Sequence, residues 1–185
     1  LVSPVSGKFT NDTTPTFTWK TVPDGNKYRI QISKTSNFTT PILVDVRLKP
    51  GVLTYTPLPL ADGKYYWRVK GINVLYEGGT WSATRNITID TVKPSTPLLS
   101  YPKNGAIVIG IPTYKWQAVT GARYYQFSHA TNSKFSLGLF TSARLTVLSY
   151  KPVNQLKRTY YWRVRAQDAA GNWGSWSIPR KVTIE

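Results

Sequence analysis

Residues 160–177 read YYWRVRAQDAAGNWGSWS, and residues 65–82 read YYWRVKGINVLYEGGTWS. In the first stretch Tyr160, Trp162, Val164 and Ala166 alternate with Tyr161, Arg163, Arg165 and Gln167. Alternation with period two marks a half-buried β-strand, because successive side chains point to opposite faces. Arg163 and Arg165 therefore project away from Trp162 and Val164. Trp176 is expected to open the next strand, with Trp173 in the loop before it. Such a face has two readings. It is a basic aromatic platform for nucleic acid, or it is a packed ladder of arginines between rings.

The likeness of the two stretches extends along the chain. PTFTW (15–19) matches PTYKW (112–116), KYRIQIS (27–33) matches YYQFSHA (124–130), and SNF (36–38) matches SKF (133–135). WSATRNITID (81–90) matches WSIPRKVTIE (176–185). A near-constant offset of this kind means two copies of one structural unit. Tyr28, Ile30 and Ile32 alternate with Arg29, Gln31 and Ser33, and Ile87 and Ile89 alternate with Asn86, Thr88 and Asp90. Gly, Pro, Asn and Asp break the runs, and no segment carries a helical stripe. About seven short strands in each copy point to an all-β chain of two tandem Greek-key β-sandwiches. The expected boundaries are 1–92 for the first module, 93–96 for a proline-containing linker and 97–185 for the second module.

Both copies resemble fibronectin type III modules of the kind found in tandem in bacterial surface and secreted proteins. The resemblance rests on Pro15 and Trp19 (Pro112 and Trp116), on Tyr28 (Tyr125), and on a Leu ahead of a Tyr-x-Trp-x-Val strand. That last motif is Leu60, Tyr65, Trp67 and Val69 in the first copy and Leu156, Tyr160, Trp162 and Val164 in the second. It covers essentially the whole chain and implies a fold more than a function. The run at 173–177 also resembles the Trp-Ser-x-Trp-Ser element of the related cytokine-receptor modules, where tryptophans and arginines interleave. A guanidinium over an indole contributes roughly 0.5–2 kcal/mol, and the arginine stems cover apolar surface. The ladder is the reading adopted, with Arg163, Arg165, Trp173 and Trp176 in the second copy and Arg68 and Trp81 in the first. Gly78 stands where the second copy has Trp173, so the first ladder should be shorter.

Little in the sequence supports catalysis. His129 is the single histidine, at an inward strand position, and no serine–histidine–acid set can be built around it. The eight acids, Asp24 among them, are scattered and mostly fall at turns. With no cysteine, disulfides and thiol chemistry are excluded. One cation site is conceivable: Asp90 and Asp168 meeting at the module junction around Ca²⁺. Two carboxylates are few for an ion that takes 6–8 oxygens, and the alternative is a capped turn at Asp168 with Asp90 in solvent. Asn11, Asn37 and Asn86 head Asn-x-Thr sequons and are candidate glycosylation sites, though a threonine-rich β protein produces such triplets by chance. Tyr76, Tyr101 and Tyr150 are candidate sugar-stacking rings, with rim packing as the alternative.

The formal charge is +16, with 12 basic against 6 acidic residues in 1–93 and 12 against 2 in 94–185. A diffuse positive field favours weak, sequence-blind contact with polyanions such as an acidic polysaccharide, and implies no specific nucleic acid. No apolar run reaches the roughly 20 residues that span a bilayer. The chain opens at Leu1 without an initiator methionine, as a processed protein or a segment of a longer one would. Glu185 matches Asp90, so a third module could follow. The expected role is a non-enzymatic extracellular or cell-surface spacer or adhesion array, with further copies of the module or neighbouring domains as partners. The rivals are a self-assembling fibre or sheath subunit and a weak polyanion binder.

Overall fold

The computed structural model describes residues 1–23, 25–75 and 77–185. Asp24 and Tyr76 lie outside the described residues. The chain is all-β and divides into two compact units, Leu1–Thr91 and Val92–Glu185, with residues 93–96 in the second.

In the first unit the strands are β1 (Lys8–Thr10), β2 (Phe17–Thr18), β3 (Lys27–Ser33), β4 (Ile42–Arg47), β5 (Thr54–Tyr55), β6 (Gly63–Ile72) and β7 (Arg85–Ile89). One sheet has the order β1-β7-β6-β3-β4 and the other pairs β2 with β5. The β1–β7 pairing is parallel, and the remaining pairings are antiparallel. The chain's first segment serves both sheets: Ser3 bridges Thr18, and β1 then joins β7. Gly7, at φ 81, lies at the crossing, a backbone state that glycine adopts without a Cβ clash.

The second unit repeats this plan with β8 (Leu99–Tyr101), β9 (Ala106–Val108), β10 (Tyr114–Trp116), β11 (Ala122–Ala130), β12 (Phe140–Thr141), β13 (Ser149–Tyr150), β14 (Thr159–Asp168) and β15 (Arg180–Ile184). Its sheets are β12-β11-β14-β15-β9 and β13-β10-β8. Gly105, at φ 80, takes the place of Gly7.

The alternation read from the sequence decides what is inside. In the first core Trp67, Ile30, Ile32 and Ile87 are fully buried around Phe17, whose ring meets Trp67 edge-on at 5.0 Å. In the second, Trp162, Val164 and Phe127 pack around Tyr114, 5.0 Å from Trp162. Each such ring removed from water contributes roughly 1.5–3 kcal/mol.

Two sequence expectations change here. Leu156, paired with Leu60 as the apolar residue before the Tyr-x-Trp-x-Val strand, is 62% exposed, whereas Leu60 is buried. The buried position in the second unit is Gln155, which accepts a hydrogen bond from the Tyr114 hydroxyl at 3.0 Å. A polar residue is tolerated there because it supplies the acceptor that a buried tyrosine needs. Trp176 does not open a regular strand either, since β15 begins at Arg180. Gly174 N–H donates to the Ala166 carbonyl and Ser177 N–H to that of Val164. Three residues therefore pass opposite two, a stretch too irregular for a ladder of strand pairs. Pro179 has no N–H to continue it.

Candidate functional site

On the outer face of β14 the rings and guanidinium groups follow one another in sequence. Phe135 lies 3.8 Å from the Arg163 guanidinium carbon, and Trp176 lies 4.6 Å from it. Trp176 is also 4.6 Å from Arg165, which is 4.4 Å from Trp173. The order is Phe135, Arg163, Trp176, Arg165, Trp173. Burial among the rings lowers the pKa of both arginines from the ordinary guanidinium value. Arg165 is held from the side by Gln126, whose side-chain carbonyl accepts from Nε at 2.9 Å and from Nη2 at 2.6 Å.

The first unit has the shorter stack expected from Gly78. Phe38 lies 4.0 Å from Arg68, Trp81 lies 4.4 Å from Arg68, and the Lys70 ammonium lies 4.9 Å from Trp81. A Cβ on Gly78 would come within 2.7 Å of Lys70 Nζ, so the lysine occupies the room a side chain at position 78 would need. Gln31 takes Arg68 in the same two-pronged way, at 2.9 and 2.8 Å. The fork therefore sits one rung away from its place in the second unit. Gln31 also donates to Asp45, whose carboxylate is paired with Arg29. That partner holds the Asp45 carboxyl below the usual carboxylate pKa, and burial opposes it.

Sequence reasoning missed Phe38 and Phe135. Both have positive φ, 57° and 55°, an uncommon state for a bulky side chain. The signal lies in the repeated SNF and SKF triplets at 36–38 and 133–135. The two glutamines were missed because their partners lie 37 and 39 residues away and depend on strand register.

The other candidates separate. Asp168 is buried, and its Oδ1 accepts from Gly171 N–H at 2.8 Å and Asn172 N–H at 2.9 Å, while Oδ2 accepts from the Asn172 amide at 2.9 Å. Its carboxylate closes its own loop, and a cation would have to displace those donors. Asp90 is half-buried, and its amide donates to the Thr10 carbonyl. Among the described residues no group of three His, Asp or Glu is placed to hold a metal. Asn11 and Asn37 are exposed, whereas Asn86 is half-buried on β7 with its amide donating to Ser6 Oγ. Tyr101 is exposed, while Tyr150 packs 4.9 Å from Phe127. His129 is buried against Phe127, Phe140 and Tyr160, and burial pushes its pKa down to about 4.

No protein-family model and no curated protein matches the chain. Among solved structures it is similar to the fibronectin(III)-like modules of Clostridium thermocellum CbhA, with 14% identity over 100% of this chain and 92% of that one, at a TM-score of 0.61. It is also similar to the FN1-FN3 domains of chicken CNTN1, with 18% identity over 99% of this chain and 64% of that one, at a TM-score of 0.62. At these identities the likeness is one of fold, and the fold is fibronectin type III-like.

Proposed function

We infer that this chain is a non-enzymatic segment of a larger extracellular or surface protein, in which fibronectin type III-like modules space or present neighbouring domains. The observation that carries this reading is the use made of the ladder. Trp176 has a guanidinium at 4.6 Å from each of two arginines, and Phe135 is only 7% exposed. A single-strand nucleic-acid platform works through ring faces open to stacking bases. Here the rings are engaged with the protein's own cations. The solved modules of similar fold support the same reading.

Growth into a fibre by strand addition needs a free, uncharged edge. Strand β4 is an edge of its sheet but carries Asp45 and Arg47, and the corresponding edge strand β12 has two residues. Sedimentation across a wide concentration range, with binding assays against an acidic polysaccharide at physiological salt, tests the reading. A monomer that binds neither itself nor the polysaccharide is expected. Concentration-dependent growth would replace the spacer with a fibre subunit, and salt-resistant binding would replace it with a ligand-binding module.

A further inference from the structure

One rung of the outer sheet face is built differently in the two units. In the first, Arg68, Gln31 and Asp45 stand in register across β6, β3 and β4. Gln31 accepts from Arg68 and donates to Asp45, so each polar group on the rung meets a partner. Arg29 and Arg47 also lie in the field of the Asp45 carboxylate.

In the second unit the same rung runs Arg163, Ser128, Thr141 across β14, β11 and β12. Ser128 stands where the first unit has Gln31, and Thr141 where it has Asp45. The Ser128 hydroxyl is given to the Phe140 carbonyl at 2.9 Å, and the Thr141 hydroxyl to Ser128 at 3.3 Å. Arg163 is half-buried, and its Nε is shut off from solvent without an acceptor among the described residues. Its terminal nitrogens are the end not shut in. The surroundings supply no acid. Residues 94–185 hold Asp168, which closes its own loop, and Glu185, which follows β15. The charge that acts on Arg163 is the like charge of Arg165.

The segment 135–141 begins with Phe135 against Arg163 and ends at Thr141. Between them Leu137 and Leu139 are 62% and 54% exposed. A guanidinium lacking an acceptor, beside two uncovered leucines, fits a carboxylate with apolar neighbours. That is the chemistry of a protein segment. A polysaccharide or a nucleic acid would meet the arginine and leave the leucines in water. Strand β4 carries the same pattern, Asp45 between Val44 and Val46, but that carboxylate is already paired with Arg29.

We propose that the rung beside Arg163 is a docking site for an acidic segment of a partner protein. A carboxylate of that segment takes the terminal nitrogens of Arg163, and its neighbouring apolar side chains cover Leu137 and Leu139. The proposal goes beyond the spacer reading and stands or falls independently of it, since a spacer without this site is still a spacer.

The test titrates the 185-residue chain at physiological salt with a capped peptide of the sequence ILVDVR, that of residues 42–47. The readouts are the Arg163 side-chain and Leu139 methyl resonances, both of which should shift. The same peptide with asparagine in place of its aspartate should bind about tenfold more weakly. Thr141→Asp should weaken binding of the parent peptide about tenfold, because a resident carboxylate answers Arg163 and repels the incoming one. Leu139→Ser should weaken it about fivefold. Both positions are exposed, so melting curves of the two variants should match the parent. Equal binding of the aspartate and asparagine peptides, or indifference to Leu139→Ser, would overturn the proposal. So would displacement of the peptide by heparin at physiological salt, because the face would then read charge alone. No shift at Arg163 up to about 5 mM peptide would overturn it as well.

Discussion

Phe135 holds its ring 3.8 Å from the Arg163 guanidinium while its own backbone sits at φ 55°. The contact pulls against the backbone, since a left-handed residue with a Cβ costs roughly 1–2 kcal/mol. Phe135→Ala is expected to destabilise the second unit by about 3 kcal/mol, and Phe135→Gly by less, because glycine relieves the backbone. Chemical denaturation of the two variants reads the difference. A glycine variant less stable than the alanine one would remove the strain argument.

Arg165 lies between Trp173 and Trp176 and is gripped by Gln126. Arg165→Ala should cost about 2 kcal/mol, through lost cation–π contact and a glutamine left without its donor. Arg165→Lys should recover part of the loss, as Lys70 does in the first unit, without the fork. Lys157→Ala, at an exposed site, should stay within about 0.5 kcal/mol of the parent. Indistinguishable melting curves for all three would reject the ladder.

Gly174→Ala should be costly in this chain, by roughly 1–3 kcal/mol, because its Cβ would press on the Pro94 carbonyl at 2.5 Å. Gly79→Ala should be nearly neutral. Thermal unfolding of each variant distinguishes them, and similar losses at the two positions would mean that Pro94 does not set the requirement.

His129 stays neutral in the folded chain down to about 4, whereas in the unfolded chain it takes up a proton near 6.5. Between these values the unfolded state binds more protons. Stability therefore falls as pH drops from 6.5 toward about 4 and levels off below. His129→Phe should flatten the slope across that window. An unchanged slope in the variant would assign the pH dependence to other groups.

Any binding to an acidic polysaccharide or to single-stranded DNA should be weak and stronger for the more basic residues 94–185. It should collapse between about 50 and 200 mM salt, as counterion release requires. A titration of the whole chain checks this, and retention of tight binding at the upper end, lost in Trp173→Ala, would make the ladder a ligand surface.

The repeat, the strand alternation and the pairing of Arg163 and Arg165 with Trp173 and Trp176 were legible because each is a local pattern of period two or a direct repeat. Phe135 was not, since its place depends on a left-handed turn that brings a loop ring over β14. Gln155 was hidden for a different reason. An apolar Leu156 stood next to it and matched the motif better, yet the hydroxyl of Tyr114 selected the amide. The regular start given to Trp176 failed because spacing cannot show that three residues pass opposite two.

Trp19, Trp67, Trp116 and Trp162 each bury an indole nitrogen without a hydrogen-bond partner among the described residues, whereas Trp81, Trp173 and Trp176 lie half-exposed against cations. The seven tryptophans thus form two optical populations, two core indoles in each unit and three in the stacks. Short-wavelength emission reports on the interiors and long-wavelength emission on the arginine-contacting rings. A single spectrum can therefore register loosening of the outer stacks while the interiors are still closed.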